Sequence, residues 1–86
     1  MDNNAEVDLG NVSVIIPVLN EEKAIGKVID EVVSVGVPVN NIIVVDGGSR
    51  DNSVQIALSK GVRVVYQMGK GKGMAIKTGL NHVNTQ

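Results

Sequence analysis

The 86-residue sequence contains no cysteine, no tryptophan and no phenylalanine, and Tyr66 is its one aromatic residue. Without cysteine, neither a disulfide scaffold nor a thiolate metal site can form, which fits a reducing, cytoplasmic location. No apolar run approaches the roughly 18 residues that cross a bilayer, and nothing at the N-terminus resembles a signal peptide. We therefore expect one small domain that is not inserted in a membrane.

Acidic and basic residues are unevenly distributed, although the net charge is only −1. Residues 1–59 carry all nine acidic side chains and three basic ones, whereas residues 60–86 carry five basic side chains and no acidic one. A basic C-terminal segment could attract phosphate groups. Nucleic acid is the weaker interpretation, because no aromatic side chains accompany the lysines as stacking partners, and no nucleic-acid partner is predicted.

Valine and isoleucine supply 25 of the 86 residues, which favours buried strands over an all-helical bundle. Residues 1–10 are polar and acidic, and we expect them to be flexible. The continuously apolar run at residues 12–18 predicts a buried parallel strand, and two further strands are predicted at residues 42–46 and 62–66, each strand being followed by a helix. The predicted apolar faces of the three helices are, in order, Ile25, Val28, Ile29, Val32 and Val33; Val54, Ala57 and Leu58; Met74, Ile76, Leu80 and Val83.

The order β-α-β-α-β-α predicts an α/β fold, because right-handed crossovers place the three strands parallel in spatial order 3-2-1. This arrangement is one Rossmann-like half of a doubly wound fold. Its first strand would be an apolar edge without a neighbour, an edge that natural domains cover by adding strands. We therefore interpret residues 11–86 as the opening portion of a larger domain.

Polar loops follow all three strands, at the sheet edge where open parallel sheets bind ligands. The first loop, residues 17–22, leads to a helix N-terminus with free N–H groups. In the second, residues 46–51, two glycines allow close backbone approach, and Asp46 can accept a hydrogen bond from a base N–H or a ribose hydroxyl. The third, residues 69–73 (the glycine–lysine loop), offers bare backbone and two lysines that could neutralise a diphosphate.

Each of these loops also has a purely structural interpretation. Asn20 as the N-cap and Glu21 in the first turn are typical of a helix start. The two glycines after Asp46 can form a tight turn capped by Asp46 or Ser49, and the glycine–lysine loop can be a solvated surface loop. Named phosphate motifs do not decide between these interpretations, since the chain has no Walker sequence and no Gly-x-Gly-x-x-Gly after its first strand.

Three segments together resemble the start of family 2 glycosyltransferases, most closely the prokaryotic enzymes related to dolichyl-phosphate mannose or glucose synthases. The segments are Val-Ser-Val-Ile-Ile-Pro-Val-Leu-Asn-Glu at residues 12–21, Ile-Ile-Val-Val-Asp-Gly-Gly-Ser-Arg-Asp at residues 42–51, and Gly-Lys-Gly-Met-Ala-Ile-Lys-Thr-Gly at residues 71–79. They follow the family's order and spacing over residues 11–83. The resemblance implies the N-terminal half of a GT-A fold, which binds a nucleotide-activated sugar and transfers the sugar to an acceptor.

The resemblance also implies which residues meet the nucleotide. Residues 17–21 match the family's Pro-x-Tyr-Asn-Glu stretch, which lines the nucleoside, with Leu19 in place of the tyrosine. Asp46 matches the first acid of the family's Asp-Asp-Gly-Ser, Gly47 replaces the second, and Lys72 matches the Gly-Lys-Gly element. The predicted nucleotide-sugar-binding residues are Pro17, Leu19, Asn20, Glu21, Asp46, Gly47, Gly48, Ser49, Gly71 and Lys72.

For the parent enzyme, the resemblance implies Mg²⁺ or Mn²⁺, a UDP- or GDP-linked sugar as donor, and an acceptor such as a polyprenyl phosphate at the cytoplasmic membrane face. The family's metal-binding Asp-x-Asp lies after the third helix, beyond Gln86. We therefore expect no metal ligand and no catalytic residue in this chain, and no activity of the chain alone. The alternative is a non-catalytic module that forms a homo-oligomer through its exposed first strand.

Overall fold

The computed structural model describes residues 9–83. Three strands, β1 (Val14–Val18), β2 (Ile42–Asp46) and β3 (Arg63–Tyr66), alternate with three helices, α1 (Ile25–Ser34), α2 (Ser53–Ser59) and α3 (Lys72–Val83). Short 3-10 turns lie at Leu9–Asn11 and Val39–Asn41. The predicted β-α-β-α-β-α order is confirmed. Residues 1–8 of the predicted flexible N-terminus lie outside the described residues, so the boundary at residue 10 stays a prediction.

The three strands form one parallel sheet with β2 at its centre, so the predicted order 3-2-1 is confirmed. Val14 pairs with Ile42 and Val18 with Asp46, so β1 and β2 end level with each other. Tyr66, the last residue of β3, also pairs with Asp46. Every residue of β2 is buried, as expected for a parallel strand that is covered on both faces.

Alternate residues of β2 contribute to two apolar clusters, because successive side chains of a strand point to opposite faces. Ile42 and Val44 pack in the larger cluster, which includes buried residues of α1 and α2. Ile43 and Val45 pack in the smaller one, with Ala75 of α3. Two helices therefore cover one face of the sheet, and α3 covers the other. No helix within residues 9–83 has the length and apolar character needed to cross a membrane.

The prediction that Asn20 is the N-cap of the first helix is wrong. Helix α1 begins only at Ile25, and Ala24 occupies its N-cap without a side-chain hydrogen bond. Asn20 instead has a left-handed φ of 54°, and its Oδ1 accepts a hydrogen bond from the backbone N–H of Arg50 at 2.8 Å. The Asn20 side chain therefore binds the loop after β2 instead of capping α1, and the chain makes a further turn before the helix starts.

The predicted apolar faces of α1 and α2 are correct only in part. Ile25 and Ile29 are buried, whereas Val28 and Val33 remain exposed. On α2, Ala57 is buried and Leu58 is 56% exposed. Each helix therefore buries a narrower stripe than the periodicity of its apolar residues predicts.

Helix α3 turns small residues rather than its large apolar ones toward the sheet. Thr78 and Gly79 are buried with Ala75, whereas Ile76 and Leu80, predicted to face inward, are exposed. A Cβ atom built on Gly79 would lie 2.5 Å from Ile15 Cγ2. The helix therefore approaches β1 so closely that only a glycine fits at this position.

Candidate functional site

The three strands end side by side at one edge of the sheet, which we call the carboxyl edge. The ladder continues one residue beyond the strands there, because Gly47 N–H donates to the Val18 carbonyl at 2.8 Å and Gln67 N–H donates to the Asp46 carbonyl at 2.9 Å. This pairing brings the three predicted loops together. A cavity of about 480 Å³ opens between them, and its lining residues are Pro17, Val18, Leu19, Glu21, Gly47, Gln67, Gly69, Lys70, Gly71 and Ala75.

Hydrogen bonds join the first loop to the second, and we call them the cross-loop hydrogen bonds. Each joins residues 20–22 to residues 49–53, at the end of the second loop and the start of α2, and each is donated by a backbone N–H of one segment and accepted by a side chain of the other. They run from Asn20 N to Ser49 Oγ (2.9 Å), Glu21 N to Ser53 Oγ (2.7 Å), Glu22 N to Asp51 Oδ2 (3.1 Å), Arg50 N to Asn20 Oδ1 (2.8 Å) and Asn52 N to Glu22 Oε1 (3.0 Å). The two loops therefore form one rigid wall of the site.

Ser53 lies at the centre of this wall and is fully buried. Its hydroxyl accepts from Glu21 N–H and donates to Asp51 Oδ1 at 2.6 Å. That donated hydrogen bond is the main reason why the pKa of Asp51 is lowered from its ordinary value of 3.8. Ser53 was not among the predicted site residues, although the Asp-x-Ser spacing is typical of an aspartate that accepts the amide two residues later.

Asp46 ends β2 with only 3% of its surface exposed. Its Oδ2 accepts hydrogen bonds from Gly48 N–H and Ser49 N–H, both at 3.0 Å, so it does cap the tight turn that the sequence suggested. Its Oδ1 is buried and has no hydrogen-bond partner among residues 9–83. Buried carboxylate oxygens are rarely left unpaired in proteins, so this atom calls for a partner from outside the described chain.

The glycine–lysine loop is fixed at both ends by side chains. Thr78 Oγ1 accepts from Met68 N–H at 3.0 Å, just before the loop. Gln67 Nε2 donates to the carbonyl oxygens of Gly69 and Gly71 at 2.9 and 3.0 Å. Neither Gln67 nor Thr78 was predicted as a site residue. The one sequence signal for Gln67 was its place directly after a strand, at the edge where ligands bind.

The structure brings most of the predicted site residues to the carboxyl edge. The five that line the cavity are Pro17, Leu19, Glu21, Gly47 and Gly71. Gly48 and Ser49 form the turn that Asp46 caps, and Asn20 belongs to the cross-loop hydrogen bonds. Lys72 is the first residue of α3, and its side chain lies outside the part of the chain that the structure describes. The role of each residue in binding stays a prediction.

The described residues do not fit a divalent metal ion. Such an ion takes several oxygen ligands, chiefly from carboxylates and water. Within residues 9–83, no three histidine, aspartate or glutamate side chains lie close enough together to hold one.

Comparison with known proteins confirms the resemblance seen in the sequence. The model of glycosyl transferase family 2 matches residues 13–86. The uncharacterized protein MJ1222 of Methanocaldococcus jannaschii is 37% identical over 87% of this chain and 30% of its own length. Glycosyltransferase AglJ of Haloferax volcanii is 38% identical over 77% of this chain and 21% of its own length. The chain thus spans less than a third of either relative.

The fold comparison agrees with the sequence comparison. Crystal structures of glucosyl-3-phosphoglycerate synthase from Mycobacterium tuberculosis include a complex with UDP, which superposes on this chain with a TM-score of 0.65 and 36% identity. The match covers 74% of this chain and 26% of the synthase. The predicted N-terminal portion of a GT-A fold is therefore confirmed, and the chain belongs to glycosyltransferase family 2.

Proposed function

We propose that this chain binds the nucleotide of a UDP- or GDP-linked sugar in the cavity at the carboxyl edge. The observation that carries the proposal is the unpaired Oδ1 of buried Asp46, the residue directly before Gly47, which lines the cavity. A base N–H or a ribose hydroxyl would supply the missing donor. The complex of the related mycobacterial synthase with UDP supports this assignment.

The remaining walls of the cavity suit the other parts of such a ligand. Pro17 and Leu19 offer an apolar surface, and Leu19 is 56% exposed and free to contact a base or sugar ring. On the opposite side, Lys70 and the bare backbone of Gly69 and Gly71 line the cavity. A lysine and glycine backbone suit a diphosphate, because they bring positive charge and N–H groups close to its oxygens.

For the parent protein we propose transfer of the sugar from this nucleotide to an acceptor, with a polyprenyl phosphate at the cytoplasmic membrane face as the acceptor class. We propose Mg²⁺ or Mn²⁺ as the ion, held by residues other than 9–83. The related mycobacterial synthase was solved with Mn²⁺, UDP-glucose and glycerol 3-phosphate, which supports both a divalent ion and a phosphorylated acceptor. We expect the 86-residue chain to bind nucleotide without transferring sugar, and turnover by this chain would contradict that expectation.

The binding proposal is tested by amide NMR spectra of the chain titrated with UDP, GDP and their sugars, with and without Mg²⁺. We expect shifts at Glu21, at residues 46–49 and at Gly71, and the nucleotide with the lower Kd identifies the base. In Asp46→Asn, an amide replaces the carboxylate whose Oδ1 is unpaired. Loss of a hydrogen bond to a charged group costs about 1.5–3 kcal/mol, so we expect the Kd to rise roughly 10- to 100-fold.

Asp30→Asn is the matched control for this titration. Asp30 is exposed on α1, pairs with Lys60 at 2.8 Å, and does not line the cavity. The same chemical change there should leave the Kd unchanged. A well-dispersed spectrum in which no residue responds to millimolar nucleotide would overturn the proposed function.

A second candidate function is self-association through β1. Among the described residues, β1 pairs with β2 on one side and with no strand on its other side. Such an edge can pair with a second copy of the chain. We expect light scattering after size-exclusion chromatography to show a dimer whose fraction rises with concentration. A monomer at every concentration tested would exclude self-association and would leave the proposed nucleotide binding unaffected.

A further inference from the structure

The side chain of Gln67 joins two loops of the cavity. Its Nε2 donates one hydrogen bond to the Gly69 carbonyl and one to the Gly71 carbonyl, so both amide hydrogens are committed to the glycine–lysine loop. Its backbone N–H donates to the carbonyl of Asp46, which holds the residue beside the end of β2. Gln67 therefore connects the end of β2 to the glycine–lysine loop, which follows β3.

The other half of the Gln67 amide lies against Gly47. A Cβ atom built on Gly47 would lie 3.2 Å from Gln67 Oε1, which is tighter than nine in ten Cβ contacts in proteins. Gly47 does not have a positive φ, so its backbone conformation does not require glycine. A larger residue at position 47 would instead require the Gln67 amide to move by a few tenths of an ångström.

The segment that Gln67 holds has an unusual conformation. Gly69 and Gly71 have φ values of 97° and 89°, and an unconstrained chain would leave such a conformation readily. The Gly71 carbonyl also accepts from Met74 N–H and Ala75 N–H, which form the first turn of α3. Gln67 thus fixes the loop relative to both the sheet and the helix.

We propose that Gln67 is a positioning residue, which preforms the glycine–lysine loop for the diphosphate of the ligand. This inference rests on the proposed function. A loop that is ordered before binding avoids the entropy cost of being ordered by the ligand. Gln67 therefore contributes to the affinity for ligands that reach the loop, and contributes nothing for a nucleoside that does not reach it.

The first experiment uses Gln67→Met, which keeps the length of the side chain and removes both donors. In the free protein, we expect hydrogen exchange at Met74 and Ala75, whose N–H groups donate to the Gly71 carbonyl, to accelerate about tenfold, as for the loss of a hydrogen bond of ordinary strength. The Kd for UDP should rise by a similar factor, whereas the Kd for uridine should stay the same. Gln55→Met on the exposed surface of α2 is the matched control and should change none of these quantities.

The second experiment adds Gly47→Ala, alone and with Gln67→Met. If residue 47 is glycine in order to admit the Gln67 amide, Gly47→Ala should accelerate exchange at Met74 and Ala75, and its effect should shrink once Gln67 is methionine. Additive effects of the two substitutions would contradict the inference. Gly47→Ala also tests the inference if Gln67→Met fails to fold.

The outcomes separate this inference from the function on which it rests. If the wild-type chain binds neither UDP nor uridine, the proposed function fails, and the exchange rates alone decide the role of Gln67. Unchanged exchange and unchanged UDP affinity in Gln67→Met overturn the positioning role while leaving the binding function intact. An equal loss of affinity for UDP and uridine also overturns it, because Gln67 would then act on the nucleoside.

Discussion

Substitution of Gly79 by alanine should destabilise the protein, although alanine is the better helix former. The added methyl group would lie 2.5 Å from Ile15 Cγ2 and 3.0 Å from Ile15 Cδ1, so α3 or β1 has to shift. Overpacking of this kind costs roughly 1–3 kcal/mol. We expect urea unfolding followed by circular dichroism to show this decrease in the free energy of unfolding.

Gly73→Ala is the matched control, because it makes the same change in the same helix. No atom lies within 4 Å of a Cβ built on Gly73, and its φ is not positive. Replacing a helical glycine by alanine in open space stabilises by about 0.5–1 kcal/mol. The two substitutions should therefore have opposite signs. Equal stabilisation by both would show that α3 does not lie against β1 as described.

Substitution of Ser53 by alanine should weaken both the fold and the nucleotide site. Ser53 is fully buried, so water cannot replace the hydroxyl that accepts from Glu21 N–H at 2.7 Å. An N–H left without its acceptor costs about 1–3 kcal/mol. Because the same bond holds the backbone of Glu21 in the cavity wall, we expect a higher Kd for UDP together with the lower stability in urea.

The effect of Ser53→Ala should also depend on pH, because Ser53 is the main cause of the lowered pKa of Asp51. A carboxyl group whose pKa is lowered by folding stabilises the protein above its ordinary pKa, here 3.8. That contribution is lost as the pH falls through the lower, folded-state pKa. The stability difference between the wild type and Ser53→Ala should therefore be largest at neutral pH and smaller under strong acid.

Ser59→Ala, in the same helix, is the control for this prediction. The Ser59 hydroxyl donates to the Ile56 carbonyl on the exposed side of α2. A surface substitution of this kind usually changes stability by less than about 0.5 kcal/mol. A pH-independent difference between the wild type and Ser53→Ala would show that Ser53 does not act on Asp51.

The strands and their order could be predicted from the sequence because they depend on simple requirements. The apolar run at residues 42–46 has to be buried on both faces of the sheet, and short connections leave one handedness of crossover. The carboxyl edge followed from that topology. The same topology predicts that the three polar loops lie close together, which the structure confirms.

The packing of the helices could not be predicted in the same way. Periodicity assigned Ile76 and Leu80 to the core, but close approach of α3 to β1 requires the small face of the helix, with Gly79 at the contact. Asn20 was misassigned because its partner, Arg50 N–H, is 30 residues away in the sequence. Gln67 was missed because its hydrogen bonds to loop carbonyls depend on a conformation that residue types do not specify.

The side chains that form the cross-loop hydrogen bonds differ from the side chain at position 21, which can contact a ligand without taking part in these bonds. The acceptors are the side chains of Asn20, Glu22, Ser49, Asp51 and Ser53. Glu21 contributes only its backbone N–H, while the residue itself lines the cavity. The side chain at position 21 can therefore be replaced by one of different charge or size without breaking the cross-loop hydrogen bonds. Evolution or design can alter what this pocket recognises there while the frame around it stays intact.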